Sequence, residues 1–417
     1  MTMHRPRSDY EILAPAGSWE SLSAAGRAGA DAVYFGLGAL DMRSLATGAF
    51  HEDNLPEITA RARSLDLKTR MTLNAVLYDE DLAAARRSLE AAQKAGVDAV
   101  ICSDTAALML AHEVGLPVHL STQLNIANVP ALKFYARYAD VAVLARELTL
   151  EQVAAIARAV DEEPIVGASG EKMRLEIFCH GAMCIAQSGR CFMSLHTRGK
   201  SANRGECLQS CRRKYTIRDT ERDIELEIGP QYVMSPKDMK TIGFFDRIVA
   251  SGASVFKIEG RARSPEYVAA TVSCYREALE AVLAGTFSPD MVAGWDKRLA
   301  EVFNRGYWDG WYLGAKTPEL TDGYGSQASL TKRFVGKCVN YFARAGVGQF
   351  LVQAEGFAQG ARLLVTGLTT GAVEFAAERI VDEDASVAQA RKGACVTIKV
   401  PEKVRENDKL YVLEQRQ

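Results

Sequence analysis

The sequence predicts an α/β protein: a (β/α)8 TIM-like barrel with a cysteine-rich insertion after its seventh strand, followed by a small C-terminal all-β barrel. Three observations support this. Over the first 315 residues, eight short apolar segments alternate with helical patterns. AGADAVYFG, AGVDAVICS and SGASVFKIE each place a small-residue turn before a strand. After residue 326, strand-like runs such as RFVGKCVNYFA and ARLLVTGL follow one another, separated by Gly, Asn and Asp turns.

The predicted barrel strands lie in apolar segments of the kind that parallel sheets bury on both faces. They are YEILAPAG, DAVYFGLG, KTRMTLNAVL, DAVICSD, PVHLSTQLN, DVAVLARE, MRLEIFCHG and ASVFKIEGRARS. The intervening helices are predicted over 18–30, where Ser18 is the expected N-cap, and over 55–64, 81–94, 105–114, 129–138, 149–160 and 266–283. A doubly wound open sheet is the competing architecture. No strand leads into a complete Gly-rich dinucleotide fingerprint, because Gly36 and Gly38 lack its third glycine.

The domain organisation follows from the change along the chain from alternating strand and helix patterns to strand patterns alone. We expect a catalytic barrel over 1–315 with an insertion at about 179–235, a linker over 316–330 and the C-terminal β-barrel over 331–417. The C-terminal unit suits a packing or dimerisation module as well as RNA binding. The oligomeric state is not readable from the sequence.

Composition narrows the class of protein. The formal net charge of −2 gives the whole molecule no attraction for nucleic acid, although a local patch could bind it. The N-terminal residues lack a signal-peptide core, and no window resembles a membrane span. We therefore expect a cytoplasmic protein without membrane contact. Its nine cysteines are then expected to be reduced thiols or metal ligands rather than disulfides.

Five cysteines fall in the stretch 178–215. Four follow the spacing Cys184-x6-Cys191-x15-Cys207-x3-Cys211, which suits a [4Fe–4S] cluster, with tetrahedral zinc as the alternative. Cys179 ends an apolar run and is predicted to be a strand thiol. The scattered cysteines Cys102, Cys274, Cys338 and Cys395 are predicted to be buried.

The same stretch is rich in basic residues. Arginine forks bind phosphate, so an RNA-binding role is predicted, with an ordinary solvated face as the alternative. The candidates are Arg198, Lys200, Arg204, Arg212, Arg213 and Lys214.

Several motifs place the chain near a known family. EIFCHGAMCIAQSGRCFMS, LAPAGSWESLSAAGRAGADAVYFG, LSTQLNIAN, NRGECLQSCRRKY, FKIEGRARS and VPEKVREND span most of the sequence. Together they resemble the collagenase-like peptidase family U32, of unknown catalytic type, and within it the members that hydroxylate tRNA. The resemblance implies a [4Fe–4S] enzyme that converts the tRNA wobble uridine to 5-hydroxyuridine without dioxygen and in a prephenate-dependent reaction.

Other members of the family modify ribosomal RNA or a ubiquinone precursor. One ubiquinone member draws its last ligand from a later segment, where this chain has SPKDMKTI with Lys240 and no cysteine. Cys207 and Cys211 are both present, which favours the RNA branch. Proteolysis is a weaker alternative, because HExxH and G-x-S-x-G are absent from the sequence and a Cys184–His180 pair would compete with cluster ligation. A metal-stapled, non-catalytic RNA-binding factor is the third possibility.

In a barrel of this kind the working side chains lie at the carboxyl ends of the strands. Reading those ends predicts catalytic residues at Asn74, Gln123, His180 and Glu259, and substrate-binding residues at Asn125, Arg146, Lys257 and Arg261. Arg146 and Arg261 would pair with the two carboxylates of a small dicarboxylate such as prephenate. The alternatives are a structural ion pair of Glu259 with either arginine and a structural His180. The aromatic residues within 301–314 are predicted to seal the domains, with base stacking as the alternative.

Overall fold

The computed structural model describes residues 5–38, 40–43, 50–213, 215, 217–222, 224–226, 234–323 and 325–416. Eight parallel strands form a closed barrel, which confirms the predicted architecture. They are Glu11–Pro15, Ala32–Gly36, Lys68–Leu73, Ala99–Cys102, Val118–Leu120, Val141–Val143, Arg174–Gly181 and Val255–Ile258, referred to as barrel strands 1 to 8. The barrel closes because Val255 of strand 8 pairs with Glu11 of strand 1 and with Glu176 of strand 7.

Helices follow the strands on the outside of the barrel, apart from one short helix, Met193–Arg198, that lies in the insertion after strand 7. They are α1 (Trp19–Arg27), α2 (Leu55–Arg63), α3 (Leu82–Ala95), α4 (Thr105–Val114), α5 (Val129–Ala136), α6 (Leu150–Glu162), α7 (Met193–Arg198), α8 (Phe245–Ala250), α9 (Pro265–Ala284) and α10 (Pro289–Glu301). Ser18 caps α1 as predicted, since its hydroxyl accepts a hydrogen bond from the backbone N–H of Ser21 at 3.1 Å. No helix in the described ranges is long and apolar enough to cross a membrane.

The cysteine-rich insertion leaves barrel strand 7 at its carboxyl end and returns to the same place. It contains α7, short 3-10 turns and a small hairpin of Ile217–Asp219 with Ile224–Leu226. The returning strand Asp238–Lys240 pairs antiparallel with strand 7, Met239 lying opposite Gly181. The insertion is thereby held against the barrel's C-terminal mouth.

The segment after α10 packs onto the barrel. Tyr307–Trp308 adds a short strand parallel to Asp238–Lys240. Trp308 and Tyr312 are buried in the barrel core, and the hydroxyl of Tyr312 donates to the carbonyl of Phe178 at 2.7 Å. Their burial in the barrel core excludes base stacking by these two side chains.

An eight-stranded antiparallel sheet forms the C-terminal region around its own core. In spatial order its strands are Gly371–Ala376, Arg362–Gly367, Lys409–Gln415, Leu330–Phe342, Val347–Val352, Cys395–Lys399, Ile380–Asp382 and Ala385–Val387, with Phe357–Ala358 and Gln389–Ala390 forming a separate pair. The sheet contacts α1: the hydroxyl of Ser23 donates to the carbonyl of Leu368 at 2.6 Å. At Gly371, where φ is +73°, a Cβ would lie 2.8 Å from the Ala24 nitrogen, so only glycine fits this contact without strain.

The scattered cysteines behave as predicted with one exception. Cys102, Cys274 and Cys338 are buried. Cys395 is exposed, and the prediction is wrong there because buried positions alternate along its strand and Cys395 takes an outward one.

Candidate active site

A cavity of about 170 Å³ lies between the carboxyl ends of the barrel strands and the insertion. The four predicted ligands, Cys184, Cys191, Cys207 and Cys211, all line it. Cys179 does not belong to the described wall. It is fully buried in strand 7, its thiol lies 3.5 Å from the carbonyl of Lys257, and burial raises its pKa well above the usual range.

The four thiols are close enough to influence one another. Burial, opposed by Arg212 and reinforced by the other three cysteines, raises the pKa of Cys211 to about 11. In the described part of the chain, no three His, Cys, Asp or Glu side chains already surround a point where one metal ion could bind. The site therefore offers four soft sulfur donors in one cavity rather than a closed cage around a single ion.

The loop between Cys184 and Cys191 is fastened to the barrel at Ser188. Its backbone N–H donates to a carboxylate oxygen of Glu147 at 3.1 Å, and its hydroxyl donates to the side-chain oxygen of Asn125 at 2.8 Å. Asn125 is outside the described cavity wall. Its predicted substrate-binding role is corrected to one of holding this loop.

The loop between Cys191 and Cys207 is fastened by Arg204. Its guanidinium donates to both carboxylate oxygens of Asp81 and, at 2.7 Å, to the carbonyl of Val76, and it lies 4.4 Å from the ring of Tyr78. All of these partners belong to the loop after barrel strand 3. Three hydrogen bonds thus hold Arg204 to the barrel.

Arg212 ties the two ends of the cysteine stretch together. It donates to the carbonyls of Met183 and Pro236 at 2.7 and 2.6 Å, and to the hydroxyl of Ser235 at 2.7 Å. Burial and the positive charge of Arg305 lower its pKa to about 10. Met183 precedes Cys184 and Arg212 follows Cys211, so this clamp brings the first and last predicted ligands to one side of the cavity.

The predicted RNA-binding residues therefore fall into two groups, those that hydrogen-bond within the protein and those that are exposed. Arg204 and Arg212 each make three hydrogen bonds to protein acceptors, so both have a structural role in the insertion. Arg198, Lys200 and Arg213 are exposed, and Lys200 pairs with Glu206 at 2.9 Å. Lys214 lies outside the described residues.

The cavity wall is strongly basic. Against the two carboxylates Glu147 and Glu259, its described part carries seven cationic side chains: Arg43, Arg146, Arg212, Lys257, Arg261, Arg263 and Arg305. An excess of positive charge in a partly enclosed space favours anionic ligands. Both a thiolate-ligated cluster and a dicarboxylate belong to that class.

Lys257, Glu259 and Arg261, which alternate along the end of barrel strand 8, all line the cavity, as the sequence pattern predicts. Glu259 lies 3.6 Å from Arg43 and accepts a hydrogen bond from the hydroxyl of Tyr34 at 3.1 Å. Arg261 donates to Asp41 at 2.6 Å and to Thr72 at 2.8 Å. The anticipated ion pair of Glu259 with Arg146 or Arg261 is not formed; Glu259 pairs with Arg43, and Arg261 pairs with Asp41.

Lys257 forms a buried ion pair instead of projecting freely into the cavity. Its ammonium lies 2.7 Å from a carboxylate oxygen of Glu176, whose other oxygen is 3.3 Å from Nδ1 of His119. Burial opposes ionisation of Glu176, yet Lys257 and His119 hold its pKa at about 2. Burial also lowers the pKa of Lys257.

Arg146 lies over Phe178, with its guanidinium carbon 3.6 Å from the ring centre, and donates to the carbonyl of Ala182 at 3.1 Å. Its Nε is buried without a hydrogen-bond partner among the described residues. The same is true of Oγ1 of Thr122, Oε2 of Glu147 and Nε of Arg261, all in cavity-lining residues. These four atoms lie beneath the accessible surface of the cavity wall, so they would meet a polar ligand or water only after a shift of their side chains.

Asn74 and Gln123 line the cavity from the ends of barrel strands 3 and 5. The side-chain oxygen of Asn74 accepts from the backbone N–H of Met42 at 3.1 Å, and that of Gln123 accepts from the Ser121 hydroxyl. Their amide nitrogens have no protein partner among the described contacts. Both residues therefore keep donor capacity for a ligand.

His180 lies away from the cavity wall. Its ring is buried among Tyr267, Tyr275 and Tyr307, with centroid distances of 5.9, 5.5 and 5.6 Å. Burial, followed by the charges of Lys240 and Arg263, lowers its pKa to about 3. The prediction of proton transfer beside the cluster is corrected to a structural role, because the ring is enclosed and remains neutral at neutral pH.

Sequence reasoning missed several residues of this site. Arg43 and Asp41 follow barrel strand 2, and the strand-end rule, applied to that loop, would have found them. Glu176 and His119 lie inside strands 7 and 5, where a charged residue in an apolar segment was the available signal. Tyr34 gave no signal, because an aromatic residue in a buried strand is ordinary.

Comparisons with known proteins support a family assignment. The model of Peptidase family U32 matches residues 17–322. A Porphyromonas gingivalis protein named collagenase is 49% identical over 410 residues, covering 98% of this chain and 99% of its own. The Bacillus subtilis tRNA hydroxylation protein P1 is 34% identical, covering 79% and 77% respectively. An Escherichia coli 23S rRNA 5-hydroxycytidine synthase is 35% identical over 66% of this chain and 40% of its own length.

Proposed function

Because the chain belongs to peptidase family U32, we propose that it is an RNA-modifying enzyme whose reaction is the iron–sulfur-dependent, dioxygen-independent and prephenate-dependent hydroxylation of the tRNA wobble uridine to 5-hydroxyuridine. The observation that carries the proposal is the convergence of four cysteines on one basic cavity at the catalytic end of a barrel. Relatives named for tRNA and rRNA hydroxylation support an RNA substrate. Such a substrate implies a cytoplasmic enzyme.

Cys184, Cys191, Cys207 and Cys211 would hold a [4Fe–4S] cluster, for which they provide the number and type of donors. When bound, the cluster supplies redox-active, Lewis-acidic iron. Ligation requires thiolates, so the proton that burial retains on Cys211 must leave, and the neighbouring Arg212 stabilises the resulting charge. The anchors at Ser188, Arg204 and Arg212 fix the loops that carry the thiols.

The rest of the wall would bind the small co-substrate. Arg146 and Arg261 both line the cavity, and their guanidinium groups provide positive charge for the two carboxylates. Lys257 is held by Glu176 above the ring of Tyr34, 4.6 Å from its centre, and adds positive charge. Asn74 and Gln123 would orient the ligand through their amide nitrogens. Glu259 is the carboxylate positioned to accept a proton, although Arg43, Arg146 and Arg261 keep its pKa low against the effect of burial.

Proteolysis is the second candidate, favoured by the 49% identical relative named collagenase. The cavity provides few of the groups that proteolysis requires. The described cavity wall includes no histidine, so no cysteine there has an imidazole base beside it. His180 and His119 are both buried elsewhere, in contact with Tyr275 and Glu176. The arrangement suits ligation of the thiols better than nucleophilic attack by one of them.

The test begins with anaerobic purification and analysis of iron, sulfide and zinc. We expect about four irons and four sulfides per chain in the wild type. Cys191→Ser should lose them, whereas the exposed thiol variant Cys395→Ser should keep them. Zinc without iron in the wild type would contradict the cluster.

The activity is then measured on tRNA from cells that lack this gene. With prephenate, the loaded enzyme should add one oxygen to the wobble uridine, detected by nucleoside mass spectrometry, and Cys191→Ser should not. A matched digestion of denatured collagen tests the second candidate. Collagen cleavage with unchanged tRNA would refute the hydroxylase proposal, and modification of ribosomal RNA or a quinone precursor instead would reassign its substrate.

A further inference from the structure

The insertion presents unusually exposed apolar side chains beside the cavity. Phe192 is 70% exposed, Leu195 43%, Leu208 38% and Tyr215 36%. We call these four residues the insertion patch. Phe192 stands between Cys191 and Met193, which both line the cavity. The most exposed aromatic ring of the patch is therefore one residue away from the proposed cluster ligand.

The patch is built on a connected frame. The backbone N–H of Leu208 donates to the hydroxyl of Ser194 at 3.0 Å, and the hydroxyls of Thr197 and Ser210 lie 3.0 Å apart. The hydroxyl of Tyr215 donates to the carbonyl of Ser210 at 2.7 Å. The frame thus connects the segments that carry the four residues, and of their side chains only that of Tyr215 takes part in these hydrogen bonds, through its hydroxyl.

The positive charge around the insertion patch indicates which kind of partner binds there. Arg190, Arg198, Lys200 and Arg213 are exposed on the same unit. Between residues 190 and 213 the sequence has one acidic residue, Glu206, and Lys200 already pairs with it. Aromatic rings among cations that are free to reach phosphates are the features that bind unpaired nucleotides. An apolar protein partner would not need this excess of positive charge.

We infer that the insertion patch is the docking surface for unpaired nucleotides of the RNA substrate, with Phe192 stacking on a base next to the one that enters the cavity and with Arg198 and Arg213 contacting the flanking phosphates. This inference rests on the proposed function and adds to it the means by which a loop is recognised. Single-stranded loops expose base faces that aromatic side chains can stack on, whereas duplex RNA does not. The surface therefore favours a loop over a stem.

The test is equilibrium binding of the anaerobically purified protein to a labelled RNA stem-loop, and to a duplex of the same length. Stacking is worth roughly 1–3 kcal/mol per base, so Phe192→Ala should weaken stem-loop binding by about 5- to 150-fold and leave duplex binding unchanged. The matched control is Phe134→Ala, which removes a 53% exposed phenylalanine from α5. It should bind like the wild type. A 2-aminopurine placed next to the target uridine should be quenched by the wild type and not by Phe192→Ala.

The outcomes separate the two ideas. If the wild type binds neither RNA, both the proposed function and this inference fail. If it binds the stem-loop and Phe192→Ala binds equally well, the inference alone fails. A change in the sedimentation of the protein without RNA on introducing Phe192→Ala would assign the patch to self-association and also overturn it. Equal iron content and melting temperature of the two variants establish that their folds are intact.

Discussion

A buried, neutral His180 predicts a loss of stability in mild acid. The hydroxyl of Tyr275 donates to the carbonyl of Cys179 at 2.8 Å and accepts from the backbone N–H of Thr241 at 3.0 Å. Its single hydrogen is thereby used, so Nδ1 of His180, 3.3 Å away, must be the donor to Tyr275. Nε2 carries the lone pair and has no partner among the described residues.

The size of the effect follows from linkage. The pKa of His180 falls from 6.5 to about 3 on folding. The unfolded chain therefore takes up a proton as the pH drops below about 6.5, while the folded chain does not, and stability is lost over the window from about 6.5 to 3. Between pH 7 and pH 5 this amounts to about 2 kcal/mol.

The measurement compares wild type, His180→Phe and His112→Gln by thermal unfolding at pH 7 and pH 5. Phenylalanine keeps an aromatic ring among the three tyrosines but cannot titrate, and His112 is exposed on α4. Comparing the two pH values cancels any packing change that phenylalanine introduces. From pH 7 to pH 5 the wild type should lose about 2–3 °C more than His180→Phe, while His112→Gln should follow the wild type. Parallel curves for wild type and His180→Phe would refute the assignment of a buried neutral imidazole.

Two other substitutions test the frame of the site. In Gly17→Ala, the new Cβ would lie 1.7 Å from the backbone carbonyl oxygen of Arg261, so we expect a loss of about 3 kcal/mol or more. Since Arg261 must move, the rate of the proposed hydroxylation should fall at least about 100-fold. The control is Gly294→Ala in α10, where nothing lies within 4 Å and alanine favours the helix, so it should be as stable as the wild type or up to about 1 kcal/mol more stable. Equal melting of the two variants would contradict the contact at Gly17. Glu176→Gln leaves the Lys257 ammonium buried without its counter-charge, which should lower the free energy of unfolding by about 3–5 kcal/mol. Adding Lys257→Met to this variant should restore much of the lost stability. A Glu176→Gln variant as stable as the wild type would show that the pair is not buried together.

The position of the cysteines bears on which of the two kinds of relative this chain resembles in function. Relatives with protease names and relatives with RNA-hydroxylation names share the matched region. In this chain the cavity joins four thiols to an excess of cationic side chains. Four converging thiols suit a metal centre, and the cationic side chains suit an anionic ligand, whereas peptide hydrolysis by a thiol needs one cysteine with a base beside it.

Much of the barrel was predictable because its periodicity is local. Apolar strands, small-residue turns and caps such as Ser18 are read from neighbouring residues, so the order of strands and helices followed from the sequence. The strand-end rule similarly placed Asn74, Gln123, Arg146, Lys257, Glu259 and Arg261 at one cavity, because the carboxyl ends of parallel strands meet at the same end of a barrel.

The sequence by itself determined the residue types of the site: four cysteines, many arginines and the strand ends that carry them. Only the tertiary structure decided which of these groups remain available to a ligand. Arg204 and Arg212 read as phosphate binders, but acceptors distant in the chain, Asp81 and Pro236, occupy them. His180 follows a cysteine at a strand end, yet tyrosines from distant segments enclose it. A charge pattern is local in sequence, whereas the partner that neutralises or buries each charge is set by long-range packing.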